Sequence, residues 1–404
     1  MKKILLTVIG LWMGVAFAQN SKITSGVLAE QQGQYADAIT KLNEAFSNKD
    51  ILNPKLLAKG YYSLYKSYIQ VCFSPDLAEL KTQFPDASYR AYEAFQNAMS
   101  TDIKDRYHKQ AILDNAGSNL WAALYNDGVN LFNTDKVDEA MKLFVAADQS
   151  KPDDFYTKRM MGSGYLVGKD TAASIATLEK ARELFKANFL NSQVEGFKDS
   201  EEYGQALGQA SFVYQQLAII YQAQGKIREA LNLLTEGAEI APKEENMKRL
   251  ELMIYQQHPE MFSEAEAKFK AAIEANPKDH NIKVAYAGLL ERAERVDEAF
   301  AIYEQVYAED KENISANYGI GAYYVNKAAA ISTLKMKYTK EADIDKADAE
   351  ILEHLRKAYP YMKWLHEHQP DETEWLRQLV SITSFLGKDA EMKEYSDKLR
   401  ALSN

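Results

Sequence analysis

The chain has 404 residues, 26% of them charged and 46% hydrophobic, and a net charge of -10. Those proportions fit an ordinary folded protein, and 9 prolines and 19 glycines are too few for a low-complexity or collagen-like chain. The acidic balance argues against a nucleic-acid binder, which needs clustered lysine and arginine against the phosphates.

Lys2-Lys3 comes first, then an apolar run over residues 4–15 and the triplet Ala16-Phe17-Ala18. A charged start, a short apolar run and a small-x-small cleavage site read as a secretory signal peptide over residues 1–18. The run is too short for a comfortable bilayer span. The expectation is an exported protein, periplasmic or envelope-associated, with residues 19–404 as the mature chain and no transmembrane segment in it. Export permits disulfides, yet Cys72 is the single cysteine. It follows the aromatic stretch Tyr61-Tyr62-Ser63-Leu64-Tyr65 and reads as a small buried hydrophobe.

From there one helical pattern recurs. A small residue is followed four positions later by a large one, and three later again by a small or apolar one. The sets are Ala38-Leu42-Ala45, Ala91-Phe95-Ala98, Ala140-Phe144-Ala147 and Ser174-Leu178-Ala181. They continue with Ala230-Leu234-Gly237, Ala265-Phe269-Ala272, Ala299-Tyr303-Val306, Ala358-Met362-Leu365 and a degraded Met392-Ser396-Leu399. Offsets of three and four put each set on one helix face. A second helix precedes each, with a large residue near Gly or Ala, as at Leu124 and Gly128, Met161 and Gly162, Tyr286 and Ala287, and Ile320 and Gly321. Gly33, Gly225 and Gly387 fall in the turns between the two helices and supply left-handed caps.

Ala140 and Pro152, Ala230 and Pro242, Ala265 and Pro277, and Ala358 and Pro370 are each 12 positions apart. Such a proline ends the same helix each time, because it has no N–H to donate and clashes with the preceding turn. Anchors 140 and 174, 265 and 299, and 358 and 392 stand 34 residues apart. A fixed period of this size marks a stacked repeat array. Some intervals are longer. Residues 70–88 carry Ser74-Pro75-Asp76 and Phe84-Pro85-Asp86 and are expected to be irregular, as are the stretches near 101–110 and 189–209. Residues 328–348 keep a helix-forming composition and predict an elongated helical hairpin near 314–369.

These residues resemble the tetratricopeptide repeat (TPR) family, whose pattern runs W-x2-L-G-x2-Y, then A-x3-F, then P over 34 residues. Residues 124–152 and 214–242 carry it well. The unit over 246–277 departs, with Met253 where a small residue belongs. The resemblance implies an all-α fold, a right-handed superhelical solenoid of about nine TPR-like helix hairpins with insertions. It also implies an inner wall built by the first helix of each unit, holding a protein or peptide partner. The inward positions it implies are Tyr125, Phe132, Asn133, Tyr156, Arg159, Ser163, Phe212, Gln215 and Gln222, then Glu291, Arg292, Tyr318 and Asn326. Aromatic anchors among amides and charges suit protein recognition.

Catalytic and metal patterns are weak. Gly162-Ser163-Gly164 lies in a repeat helix, not on a strand-to-helix elbow. His366 and His368, two apart on a helix, point in different directions and read as solvated. Asp343, Asp345 and Asp348 lack the glycine and closing glutamate of a calcium loop. No catalytic residue, cofactor or metal is expected. The reading is an exported, non-enzymatic scaffold that holds envelope or secretion-machinery partners through a TPR groove. The alternative is a glycan-binding helper of an outer-membrane transporter built on TPR helices, with Trp121, Trp364 and Trp375 as the mature chain's tryptophans.

Overall fold

The computed structural model describes residues 18–47, 52–102, 104–107, 109 and 116–402. The signal-peptide expectation, apart from residue 18, lies outside the described residues, and so does part of the stretch near 101–110. Among the described residues every regular element is a helix. The chain divides into two compact units, residues 1–247 and 248–404.

The first unit runs through α1 (residues 18–31), α2 (Tyr35–Phe46), α3 (Pro54–Phe73), the short α4 (Ala78–Gln83) and α5 (Ala87–Thr101). It continues with α6 (Ala116–Phe132), α7 (Val137–Ser150), α8 (Phe155–Val167), α9 (Thr171–Phe185), α10 (Glu201–Ala223) and α11 (Ile227–Ile240). The division falls within α12 (Glu245–Gln257). The second unit holds α13 (Phe262–Ala275), α14 (His280–Arg292), α15 (Val296–Glu309), α16 (Ile314–Lys335), α17 (Glu341–His368), α18 (Thr373–Phe385) and α19 (Asp389–Leu402). Within each unit, helices adjacent in sequence pack against each other, as α6 does with α7, α8 with α9, and α14 with α15.

Local chemistry sets the boundaries. Side chains of Asp154, Asp170, Ser200, Asp279 and Asn313 accept hydrogen bonds from backbone N–H groups at the starts of α8, α9, α10, α14 and α16. Pro152, Pro242, Pro277 and Pro370 lie just beyond helix ends, whereas Pro360 sits inside α17. In the intra-hairpin turns, Gly33, Gly225 and Gly387 have φ of 74°, 75° and 68°. Asp135, Lys169 and Glu294 occupy the same turn position in other hairpins, with φ of 60°, 63° and 60°. The turn therefore demands the left-handed conformation even where the residue is not glycine.

The interior is a seam of small residues against large ones. Ala38, Leu42, Ala140, Phe144, Ala147, Ser174, Leu178, Ala230, Leu234, Ala265, Phe269 and Ala358 are all fully buried. A Cβ built on Gly26 would lie 2.7 Å from Leu42 Cγ, on Gly128 2.7 Å from Phe144 Cε1, and on Gly162 2.6 Å from Leu178 Cδ2. The two helices of a hairpin thus approach closely enough to exclude one methyl group. Each buried Leu or Phe contributes roughly 1.5–3 kcal/mol. Met253 stands at the corresponding place in α12 and is 53% exposed. A side chain of that size cannot enter the seam, so it turns to solvent.

The longer intervals are filled in different ways. Residues 189–209, expected to be irregular, are so mainly over 191–200. A π-helical turn, Lys186–Leu190, precedes that stretch, and Ser200 caps α10 at Glu201. Residues 70–88 contain the 3-10 turn Pro75–Leu77 and α4. α16 and α17, of 22 and 28 residues, form one long hairpin.

Polar ties fasten neighbouring elements. Glu266 on α13 accepts hydrogen bonds from Lys270 at 2.9 Å, Arg295 at 3.0 Å and Tyr286 at 2.9 Å. The Lys270 bond leads in holding its carboxyl down at about 2, with the Arg295 and Tyr286 bonds adding to it. A carboxylate more acidic folded than unfolded stabilises fully above its unfolded value of about 4.5 and loses that contribution as pH falls toward about 2.

Gly162→Ala is expected to destabilise the protein by roughly 1–3 kcal/mol through overpacking. Gly208→Ala, whose Cβ meets nothing within 4 Å, should instead stabilise by up to about 1 kcal/mol, both read from urea unfolding. Acid unfolding of wild type should show a loss of stability between pH ~4.5 and ~2 that is shallower in Glu266→Gln.

Candidate functional site

Three successive hairpins in the first unit bring α6, α8 and α10 side by side, and their side chains build an aromatic ladder. Trp121 stacks on Tyr125 with centroids 5.4 Å apart. Tyr125 meets the edge of Tyr156 at 6.5 Å, and Tyr156 meets Phe189 at 6.0 Å. Phe189, carried by the π-helical turn, stacks on Phe185 at 5.9 Å and on Phe197 at 6.2 Å. Such pairs add roughly 0.5–1.5 kcal/mol each beyond area burial.

One end of the ladder is locked by hydrogen bonds. Trp121 Nε1 donates to Thr157 Oγ1 at 2.8 Å, and Thr157 donates in turn to the buried Asp154 at 3.0 Å. Lys151 pairs with Asp154 at 3.0 Å and lies over the Trp121 ring at 4.2 Å. Burial pushes the Tyr125 and Tyr156 hydroxyls above the usual phenol range, so both stay protonated donors.

Beside Tyr125 stands Arg159. Its guanidinium lies 5.2 Å from the centre of the Phe212 ring, and its Nη1 is 2.6 Å from Met160 Sδ. Its Nε is buried with no hydrogen-bond partner. Desolvation lowers its pKa, and the Tyr125 hydroxyl opposes that shift. Ser163 is buried, and its hydroxyl donates to Gln216 Oε1 at 3.0 Å with the Arg159 carbonyl also 3.3 Å away, joining α8 to α10. Phe212 is 50% exposed, as is Ile219 two turns along α10.

The structure brings Tyr125, Tyr156, Arg159, Ser163 and Phe212 together. Gln215 and Gln222 lie half-buried farther along α10. Phe132 packs instead on Phe144 at 6.4 Å in the core, and Asn133 is exposed beyond the end of α6. In the second unit, Glu291 accepts a hydrogen bond from Tyr303 and Arg292 donates to the Gln256 carbonyl, so each serves the fold. Tyr318 leans on Trp375 at 5.2 Å, and Asn326 is exposed. Sequence reasoning missed Trp121, Thr157, Phe189 and Gln216 as members of the site. The four-residue spacing of Trp121 and Tyr125 was a visible signal; the fold of the π-helical turn was not.

Packing accounts for the Gly162-Ser163-Gly164 triplet: Gly162 abuts Leu178, Gly164 abuts Met141, and the serine hydroxyl is engaged as above. Burial pushes the Cys72 thiol up to about 12, which makes it inert as a nucleophile at neutral pH. His366, expected to be solvated, is 7% exposed and meets the Tyr395 ring edge-on. Among the described residues no cluster of His, Cys, Asp and Glu could hold a metal ion, and no helix is long and apolar enough to cross a membrane.

A family model described as tetratricopeptide repeat matches residues 261–314. No curated protein matches the chain. Among solved structures, the C-terminal part of a TPR repeat-containing protein from Cytophaga hutchinsonii is 10% identical. It covers 69% of this chain and 95% of its own, with a TM-score of 0.45. YrrB, described as a TPR protein with an unusual peptide-binding site, is 14% identical and covers 52% of this chain and 94% of its own, with a TM-score of 0.37. The TPR domain of P58(IPK) is 13% identical and covers 92% and 99%, with a TM-score of 0.27.

A buried ring and a half-exposed one on these helices should respond differently to truncation. Phe155→Ala, which removes a buried ring, is expected to cost roughly 3–5 kcal/mol in chemical unfolding. Phe212→Ala should stay within about 0.5 kcal/mol of wild type.

Proposed function

We propose that this protein is an exported, non-enzymatic TPR-type scaffold that holds envelope or secretion-machinery partners. It does so by gripping an extended protein segment on the aromatic face of α6, α8 and α10. One observation carries the reading: a half-exposed Phe212 lies against Arg159, which in turn neighbours Tyr125 of a packed ladder of rings. Rigid aromatic anchors give contact area at little entropic cost, and rings of this kind dominate protein interfaces. The repeat architecture supports it, because stacked hairpins present an extended surface. The N-terminal pattern of charge, apolar run and Ala16-Phe17-Ala18 supports export.

A glycan reader would present a free indole face. Trp121 is stacked on Tyr125, Trp364 on His368 at 4.0 Å, and Trp375 is against Tyr318 while donating to Gln369. No observation favours that alternative.

Photo-crosslinking in intact cells tests the proposal. Benzoylphenylalanine at Phe212 should yield a discrete protein adduct in the extracytoplasmic fraction, on a chain beginning at Gln19, whereas the same probe at the 57%-exposed Val167 should not. An intact Met1 on cytoplasmic protein would remove export from the account. Equal labelling at both positions would remove the groove.

A further inference from the structure

We infer that the segment held on this face presents an acidic side chain to Arg159, flanked by apolar residues that lie on Phe212 and Tyr156. The inference rests on the groove reading above and goes on to name the chemistry of the partner.

Arg159 is the exception among the half-buried cations around it. Lys158 pairs with Asp148 at 2.8 Å, and Arg182 with Glu179 at 2.9 Å and Glu236 at 3.1 Å. Arg159 has no carboxylate within ion-pair distance among the described residues; its neighbours are a thioether and the two aromatic side chains Phe212 and Tyr125. A desolvated guanidinium without an anion is costly, and a carboxylate is its natural bidentate partner. The position over a half-exposed ring puts that unmet charge at the protein surface, where a ligand can reach it.

The acidic groups nearby set the register. Asp154 is already taken by Lys151. Glu202 is exposed at the start of α10 and acts on the Tyr156 hydroxyl. It lies ten residues before Phe212, about 15 Å along the helix. A ligand carboxylate is repelled at that end and drawn to the Arg159 end.

The floor beside Phe212 has room for a backbone. Gly204 and Gly208 precede Phe212 by eight and four residues, which places all three on one face of α10. A Cβ on either glycine would meet nothing within 4 Å. At Gly26, Gly128, Gly162 and Gly319, by contrast, a Cβ would come within 3 Å of a neighbouring side chain. Packing inside the fold therefore does not account for Gly204 and Gly208, although each costs about 1 kcal/mol of helix stability relative to alanine. A main chain laid against the helix from outside does account for them.

A phage-displayed random octapeptide library, selected against the full mature chain, tests this. Selected peptides should carry Asp or Glu next to apolar residues. Replacing that acid by its amide, or Arg159→Gln in the protein, should weaken binding roughly 10- to 100-fold, the range for losing a charge-assisted hydrogen bond. Arg159→Lys should retain part of the affinity, and Arg159→Glu should select basic peptides instead. Gly208→Leu, whose side chain has open space to occupy, should keep the wild-type circular dichroism and melt no lower than wild type while losing the peptides. Peptides that lack acids and bind Arg159→Gln as tightly as wild type would overturn the inference and leave the groove standing. A library yielding no binders at all would overturn both.

Discussion

A small residue pressed against a large one across each helix pair is the contact on which the rest of this molecule depends. Gly26 against Leu42, Gly128 against Phe144 and Gly162 against Leu178 repeat it at one spacing, each with no room for a methyl group. Because the contact joins helices adjacent in sequence, a hairpin is closed locally and then, within its unit, stacked on its neighbour. Stability accumulates from neighbour to neighbour instead of from one central nucleus.

Polar networks complete the stacking. Glu236 on α11 takes hydrogen bonds from Tyr214 on α10 at 2.7 Å and Arg182 on α9 at 3.1 Å, and Lys186 joins them. Glu266 performs the same service for α13, α14 and the turn before α15. Against that background Arg159, half-buried and with no carboxylate within ion-pair distance among the described residues, is conspicuous. Buried charges are ordinarily paired. On the inference drawn above, a ligand supplies the anion, and the neighbouring rings supply its apolar contact.

Much of this was legible in the sequence, for a physical reason. Three- and four-residue offsets report a helix face directly, so Ala140, Phe144 and Ala147 declared a buried stripe, and all three are buried. Turn glycines announced themselves, but Asp135, Lys169 and Glu294 did not, because a left-handed backbone at those residues is imposed by the helices on either side. His366 gave no signal of its burial, since its cover is Tyr395 from another helix. For the candidate site, the resemblance to TPR proteins named Tyr125, Tyr156, Arg159 and Phe212, which the structure places near one another. The Trp121–Thr157–Asp154 chain, and the placing of Phe189 by a π-helical turn, depend on distances between hairpins that periodicity does not encode.

Hydrogen–deuterium exchange read by mass spectrometry, comparing wild type with Ala230→Leu, tests the neighbour-to-neighbour claim most directly. Ala230 is fully buried where α11 packs on α10. The account predicts faster exchange in residues 201–223 and 227–240, a smaller rise in 171–185, and unchanged protection in 54–73 and 87–101. A uniform rise over all these helices would mean one global core, and would contradict it.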